Sequence, residues 1–462
     1  MSLSANTSRR LAEIVGPANL QHSTEERLAY SYDATAMLAR QPEAIVFVES
    51  AQQISDVLKL ANADGFKVVP RGSGTNLSGG TIPTENCVVL VTVRMDKILE
   101  IDPRNLTALV QPGVLTACVD EAAAAHGLFY PPDPGSMKIS TIGGNVAENS
   151  GGLRGLKYGV TRDYVLGLEV VLPTGDLMHC GTKCVKDVAG YSIKDLFIGS
   201  EGTLGIVTQV LLKLVPRPAA RNTMLATFAT MTDAAETVSA IIAHKIIPCT
   251  LEFLDKTTIA CVESYAKIGL PLDVEAILLM EADGHPAVVE EESARMIELA
   301  RAHHARDVHV AKDAAEAEKL TSARRAAFSA LARVSPTTIL EDATVPRSEL
   351  ATMIAFIQQT AEKYKLKIGV FGHFGDGNLH PTFLCDERNK EEIERVHAAF
   401  REIFEKAIAL GGTITGEHGV GLAKKEFLEK FAGKTGLDVM RALKHTLDPH
   451  NLLNPGKIFD RV

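Results

Sequence analysis

His373 and His380, in the stretch GHFGDGNLH, and Glu417-His418, in TGEHGVG, carry the side chains best suited to chemistry in this chain. Two imidazoles and a carboxylate suit a divalent metal of the zinc or manganese kind, and iron or cobalt fit the same set. A further imidazole directly beside the carboxylate stands where a general base would be useful. Seven positions separate His373 from His380, which matches neither the i, i+4 face of a helix nor one face of a strand. The intervening Gly375-Asp376-Gly377-Asn378 is a turn signal between strand-like runs at 367–371 and 379–384. A hairpin of that kind can bring both imidazoles to one end of a small sheet. The competing reading is a glycine-rich loop with two surface histidines.

The elements that must position these groups need a sizeable chain, and 462 residues allow two or three domains with a real core. An apolar content of 46% excludes a disordered or fibrous chain. A net charge of −9 and the lack of a basic stripe argue against a nucleic-acid partner. Cys180 and Cys184 form a CxxxC spacing with no second pair to complete an iron–sulfur or zinc cluster, so the cysteines are expected to be reduced, buried thiols of a cytosolic-type compartment. No apolar run approaches the roughly 18–20 residues that span a bilayer. The opening MSLSANTSRRLAEIVG lacks a signal-peptide core. A soluble, cytoplasmic protein is expected, with peripheral membrane association or a mitochondrial matrix location left open.

The first part of the chain reads as mixed α/β with dense glycine. A strand at 44–48 precedes a helix opened by a Ser50/Gln53 capping box and ended near 64 by a left-handed Gly65. A strand at 67–69 runs into PRGSGTNLSGG, whose small residues leave backbone N–H groups bare in the manner of a phosphate-binding nest. The dinucleotide fingerprint GxGxxG fails here, because Leu77 stands where the third glycine belongs. A structural turn is the alternative. Glycine recurs at 131–135, 140–145, 149–152, 157–159 and 199–206. Because glycine lets backbone approach a ligand closely, this points to one long ligand threaded along the domain, for which a dinucleotide is the natural candidate.

PRGSGTNLSGG, TIGGNVAENSGG, KYGVTRDYVLGLEVVLPTGD and LFIGSEGTLGIVT resemble the FAD domain of the vanillyl-alcohol-oxidase type flavoproteins. EDATVPRSEL, GHFGDGNLH, TGEHGVG and NLLNPGKIF resemble its D-lactate dehydrogenase, glycolate oxidase and D-2-hydroxyglutarate dehydrogenase branch. The resemblance runs from about residue 40 to the end. It implies an α+β architecture: a two-subdomain FAD-binding domain over 1–217, an antiparallel-sheet cap domain for substrate over 218–410 carrying the hairpin, and a C-terminal segment over 411–462 returning to the FAD domain. Carried over by position, the loop of Arg71, Gly72, Ser73, Gly74, Thr75 and Asn76 would hold the pyrophosphate through backbone amides. Pro131, Gly135, Ser140, Thr141, Gly144, Asn145, Gly151 and Gly152 would line the adenine and ribityl path. Tyr158, Gly159, Glu201, Gly202 and Ile206 would contact the cofactor from the second half of the domain, and Asn454 would return to the flavin ring. No histidine lies between 70 and 80, so noncovalent FAD is implied.

By the same resemblance His373, His380 and Glu417 match the metal ligands of the hydroxyglutarate branch, and His418 matches its base. A 2-hydroxy acid chelates a metal through its hydroxyl and one carboxylate oxygen, the metal lowers the hydroxyl pKa, a neutral histidine accepts the proton, and hydride passes to flavin N5. Arg324, in a helical stretch at 316–333, matches the substrate-binding arginine, with Arg325 as the rival and two solvated helix charges as the bland alternative. Phe328 and Leu340 stand near where the hydroxyglutarate enzymes hold a distal carboxylate, and Pro381-Thr382 replaces their asparagine. An apolar residue there disfavours a second charge, so a small D-2-hydroxy acid such as D-lactate, D-2-hydroxybutyrate or glycolate is expected. His303, His304 and His309 are read as solvated. The implied function is FAD-dependent, metal-assisted oxidation to the 2-oxo acid. The alternatives are an FAD subunit whose role is assembly or relay in a multisubunit glycolate-oxidising complex, a hydroxyglutarate-type enzyme with an altered pocket, and a non-redox transferase. With no nicotinamide fingerprint, haem motif or iron–sulfur cysteines, electrons are expected to leave to a quinone, a cytochrome, an electron-transfer flavoprotein or oxygen. A homodimer is compatible with the resemblance.

Overall fold

The structure is a computed structural model that describes residues 3–460. The chain divides into two compact units, one of Met1–Gly151, Val160–Arg217 and Glu417–Val462, the other of Gly152–Gly159 and Pro218–Gly416.

In the first unit, strands Ala44–Phe47, Cys87–Val91 and Lys67–Arg71 pair in parallel, and Leu20–Gln21 adds an antiparallel edge. Their sequences AIVF and CVVLV are apolar without alternation because both faces are buried. Helix Ala51–Asp64 turns Ile54, Val57, Leu58 and Ala61 inward at helical spacing. Each of the larger side chains among them is worth ~1.5–3 kcal/mol in burial. Only half of the expected capping box forms: Ser50 accepts the Gln53 N–H, whereas the Gln53 side chain takes the N–H of Glu49. Gly65 ends the helix at φ +78°. A second, all-antiparallel sheet runs in the order Ile98–Asp102, Thr107–Val110, Ile206–Lys213, Val165–Val171, Leu177–Gly181. The chain's tail returns to the first sheet, where Leu452 and Leu453 join its core and the Asn454 N–H donates to Val68 O.

The second unit is built on one antiparallel sheet in the order Ala305–Val310, Ala220–Phe228, Ala276–Gly284, Thr250–Asp255, Lys367–His373, Asn378–Cys385, Thr337–Leu340, with Ala343–Thr344 also paired to Asn378–Cys385. The hairpin expected around GDGN is present. Its turn is closed by Gly377 at φ +88°, where an added Cβ would stand 2.1 Å from Val345 O. Gly377→Ala combines a left-handed backbone with a clash against a carbonyl and is expected to cost ~2–4 kcal/mol. Urea unfolding of the variant checks this, and an unchanged midpoint would show that the turn can relax freely.

Cysteines are free throughout the described residues, but three are not buried as expected, Cys180 being half-buried. Cys184 is exposed on the segment after strand Leu177–Gly181, and Cys118 is exposed on helix Thr116–Ala124. No described helix is long and apolar enough to cross a membrane.

Candidate active site

Register explains how a seven-residue gap can still join two histidines. Across the hairpin His373 pairs with Asn378, and Phe371 with His380. Directly paired residues share a face, as do residues two apart, so His373 and His380 are diagonal neighbours on one face. Their rings lie 5.3 Å apart, nearly perpendicular, and each offers a ring nitrogen within 4.8 Å of the other. On the opposite flank Glu252 is the direct partner of His373, and its Oε1 lies 2.7 Å from His373 Nδ1. A carboxylate there makes Nδ1 the N–H donor and fixes the tautomer and direction of the ring.

Arg324 reaches the same face from the last turn of helix Ala314–Arg325. The helical stretch expected over 316–333 breaks at Ala326 and resumes as Ala327–Leu331, packed in the core beneath. The Arg324 guanidinium is 5% exposed, sits 2.5 Å from Glu252 Oε2 and lies 4.8 Å above the Phe371 ring. Arg325 is half-buried beside it. Glu252, Arg324, Phe371, His373 and His380 thus form one buried cluster. Its Glu252–His373 and Glu252–Arg324 pairs satisfy charges that would be costly to bury alone.

The same sheet face continues into two more buried acids. Glu281 accepts from Thr223 and Thr250, and Asp283 accepts from Lys157 Nζ and the Tyr158 hydroxyl. Tyr158 and Gly159, expected near the cofactor, belong to this second unit together with Gly152. Burial, with the Asp283 bond adding to it, raises the Tyr158 phenol above its ordinary range.

The return segment is fixed to the second unit up to its last residue. Thr344 and Thr413 bridge through backbone, and Asp342 Oδ2 accepts from Thr415 Oγ1 and the Gly416 N–H. A Cβ on Gly416 would stand 2.0 Å from Asn378 Nδ2 and 2.4 Å from Thr344 Oγ1, so a larger residue there would have to displace both side chains. Asp342 and His380 also hold ligand atoms within 4.8 Å of each other. Glu417 and His418 follow immediately in the chain and group with the first unit.

In that first unit the segment after His418 is gripped by carboxylates. Glu201, in the left-handed conformation at φ 52°, accepts the N–H groups of Val420 and Gly421, each at 2.7 Å. Gly419 lies against Glu148, and Ser78 O accepts from Leu422 and Ala423. Asn454 Nδ2 donates to both Gly80 O and Glu201 O, which ties the tail to the glycine loop and to the Glu201 turn. Burial pushes Glu201 up to about 7 despite the two N–H donors, which favour its ionised form. Glu148, half-buried as a residue but with Oε2 shielded from solvent, is raised well above the carboxylic range by burial first and the Glu201 and Asp33 charges next.

Both folded-state values exceed the unfolded ones, so the pair is neutral to stability below the ordinary value of 4.5 and weakens the fold as pH rises toward about 7. Glu148→Gln should therefore raise the melting temperature near neutral pH and leave it unchanged at about pH 4. An equal difference at both pH values would contradict this assignment of the proton.

Among the described residues, none of the backbone N–H groups from Gly72 to Asn76 donates to protein, which leaves Gly72, Ser73, Gly74, Thr75 and Asn76 free to meet an anion. The loop's frame is Asp33, whose Oδ2 accepts from Asn76 Nδ2, Thr81 N and Thr81 Oγ1. The Arg71 side chain is spent inside the protein, donating to Tyr32 O and stacking on Tyr30. Ser140, Thr116 and Asn145 form a closed side-chain chain, and Thr141 caps the helix that holds Gly144. Pro131 and Gly135 lie in the extended run before it, with open space where a Gly135 Cβ would be. Gly151 abuts the Glu417 carboxylate, Gly202 packs on Pro70, and the Ile206 side chain is part of the core. Buried Ser78 Oγ, Glu148 Oε2 and Asn454 Oδ1 have no hydrogen-bond partner among the described residues, as befits a surface shaped for a polar ligand.

The sequence alone does not single out Glu252, Phe371, Asp342, Glu148 or Asp33. Glu252 carries one signal, a carboxylate inside a largely apolar strand (TLEFLD), which is costly unless partnered. His309 pairs with Glu316 and His303 lies 3.8 Å from Glu236, both at half-exposed positions.

Residues 42–181 match the FAD binding domain family, and residues 217–458 match the family of FAD linked oxidases, C-terminal domain. The glycolate oxidase subunit GlcD of Bacillus subtilis is 56% identical over 457 residues, covering 99% of this chain and 97% of that protein. The D-lactate dehydrogenase of Archaeoglobus fulgidus is 36% identical over 442 residues, covering 94% and 96%. Among solved structures, p-cresol methylhydroxylase with substrate bound superposes with a TM-score of 0.81 at 18% identity over 98% of this chain and 96% of that one, a likeness of fold alone. The α+β architecture of a vanillyl-alcohol-oxidase type FAD domain joined to an antiparallel-sheet domain is borne out. The chain is an FAD-dependent oxidoreductase and belongs to the FAD-linked D-2-hydroxyacid dehydrogenase family.

Proposed function

We propose that this protein oxidises a small D-2-hydroxy acid, glycolate or D-lactate, to the 2-oxo acid. The observation that carries the reading is the buried cluster in which a fork-shaped cation, Arg324, and two imidazoles, His373 and His380, share one sheet face. Arg324 grips the substrate carboxylate. Its Nη2 is ion-paired with Glu252, whereas Nε is buried without a hydrogen-bond partner among the described residues, so the guanidinium keeps a donor for an incoming anion. His373, His380 and Glu417, which match the metal ligands of the hydroxyglutarate branch, would hold a divalent cation. His418 accepts the hydroxyl proton. When bound, the cation supplies Lewis-acid polarisation of the substrate hydroxyl, and FAD accepts the electron pair. Glu201 keeps the 419–421 turn in the geometry that presents His418.

Substrate size is supported by Phe328 and Leu340, which pack half-buried against the apolar cluster that includes Phe371. A second carboxylate facing them would be left without a partner. The names of the relatives support the same class, since one is a glycolate oxidase subunit and another a D-lactate dehydrogenase. The word subunit also supports a chain that works with partner proteins and hands its electrons to an external acceptor such as a quinone, a cytochrome or an electron-transfer flavoprotein.

Anaerobic mixing of the FAD-loaded protein with glycolate, D-lactate and L-lactate tests the reading. Bleaching of the flavin by glycolate or D-lactate but not by L-lactate is expected. Intact flavin absorbance with all three, in protein shown to hold metal, sinks the proposal. Removing metal with a chelator should slow bleaching by ~10²-fold or more while FAD stays bound, and Mn2+ or Zn2+ should restore it.

A further inference from the structure

Glu252 is 1% exposed in the middle of the second unit's sheet, between an apolar leucine and phenylalanine. A carboxylate so placed needs a reason, because its burial is costly even when paired. Its two oxygens face different tasks. Oε1 holds His373 Nδ1 at 2.7 Å, and Oε2 faces Arg324 Nη2 at 2.5 Å. The first contact is enforced by register, since Glu252 and His373 are direct cross-strand partners. The second is a buried ion pair through Nη2, while Arg324 Nε is buried without a hydrogen-bond partner among the described residues. Glu252 therefore holds the guanidinium through Nη2 and leaves Nε for another acceptor.

We infer that Glu252 is a positioning residue that serves both halves of the site, fixing the tautomer and direction of His373 on one oxygen and the seat of Arg324 on the other. This rests on the reading of His373 as a metal ligand and Arg324 as the substrate anchor. The carboxylate makes His373 a stronger ligand and stops its ring from turning. It also balances a guanidinium that is buried before any substrate arrives, so that an incoming carboxylate meets a cation already oriented. Phe371, under the guanidinium at 4.8 Å, completes the seat.

The test uses Glu252→Gln in the full-length, FAD-loaded protein. Metal-stripped native protein and variant are titrated with Mn2+ by calorimetry, and substrate KM and kcat are measured at saturating Mn2+. The variant should keep its FAD content, bind Mn2+ ~10–100-fold more weakly, and show a KM raised by ~10-fold with kcat changed far less. Native-like Mn2+ affinity together with native-like KM overturns the inference and leaves Glu252 a charge balance in the core. Should Glu252→Gln fail to fold, the double variant Glu252→Gln/Arg324→Gln removes both charges together and isolates the His373 contact. It should show the same loss of Mn2+ affinity, and native-like binding overturns the inference. A native protein that takes up no Mn2+, Zn2+ or Co2+ sinks the metal reading and this inference together, whereas native binding matched by the variant sinks only the role of Glu252.

Discussion

His418→Ala is expected to abolish reduction of the flavin by substrate, with a loss of ~10²–10⁴-fold in the reductive rate and no loss of FAD. The side chain sits on a turn whose following N–H groups are clamped by Glu201, and Gly419 and Gly421 adopt φ +84° and +47° to pass Glu148 and the Ser78 carbonyl. A histidine held this firmly loses little entropy on meeting a substrate, which is what a base in a fast proton transfer needs. His418 is nearly shielded from solvent and lies 3.8 Å from the neighbouring Glu417. Truncation to alanine leaves the clamp and the glycine loop untouched, so FAD content and thermal midpoint should stay native. Flavin bleaching followed by stopped flow measures the effect, and a rate within a few-fold of native would remove His418 from proton transfer. Dithionite reduction of the variant's flavin, which needs no base, should proceed normally.

Local chemistry was readable where one residue type answers one local demand. Gly65 had to end a helix, Gly375 and Gly377 had to make a turn, and AIVF and CVVLV had to be strands buried on both faces. The two imidazoles could be joined because a hairpin has only one side-chain period, and the observed 371/380 and 373/378 pairs follow from it. What pattern could not supply was the third strand. Glu252 lies 121 residues from His373 in sequence, and its pairing depends on sheet order, which no local signal encodes. The same holds for Asp342 and Gly416, 74 residues apart, and for Glu201 and Val420, 219 apart. Cofactor contacts were legible as glycine density but not by side chain. Arg71, Asn145 and Ile206 turn their side chains into the protein itself, so only their backbone remains available to a ligand. The misjudged cysteines, Cys118, Cys180 and Cys184, reflect the limits of a residue-type average for a side chain that packs equally well in either place.

Arg324→Lys separates charge from shape and should raise KM for glycolate or D-lactate by ~30–100-fold while kcat falls much less. Lysine keeps a positive charge near Glu252, so the buried pair is not broken and the ~3–5 kcal/mol that follows loss of one buried partner is avoided. The planar fork is lost, however, along with the stacking of the guanidinium on Phe371. A bidentate carboxylate contact becomes a single point contact, worth one charge-assisted hydrogen bond less, or ~2–2.7 kcal/mol. Anchoring acts on substrate and transition state alike, which is why the effect belongs in KM. Arg325→Lys, at the half-buried neighbour, is the matched control and should leave both constants native. Steady-state assays with an artificial electron-accepting dye separate the two outcomes. A native KM in Arg324→Lys, or a raised KM confined to Arg325→Lys, would move the carboxylate anchor away from the Glu252 cluster and leave that buried ion pair as a purely structural joint between helix Ala314–Arg325 and the sheet.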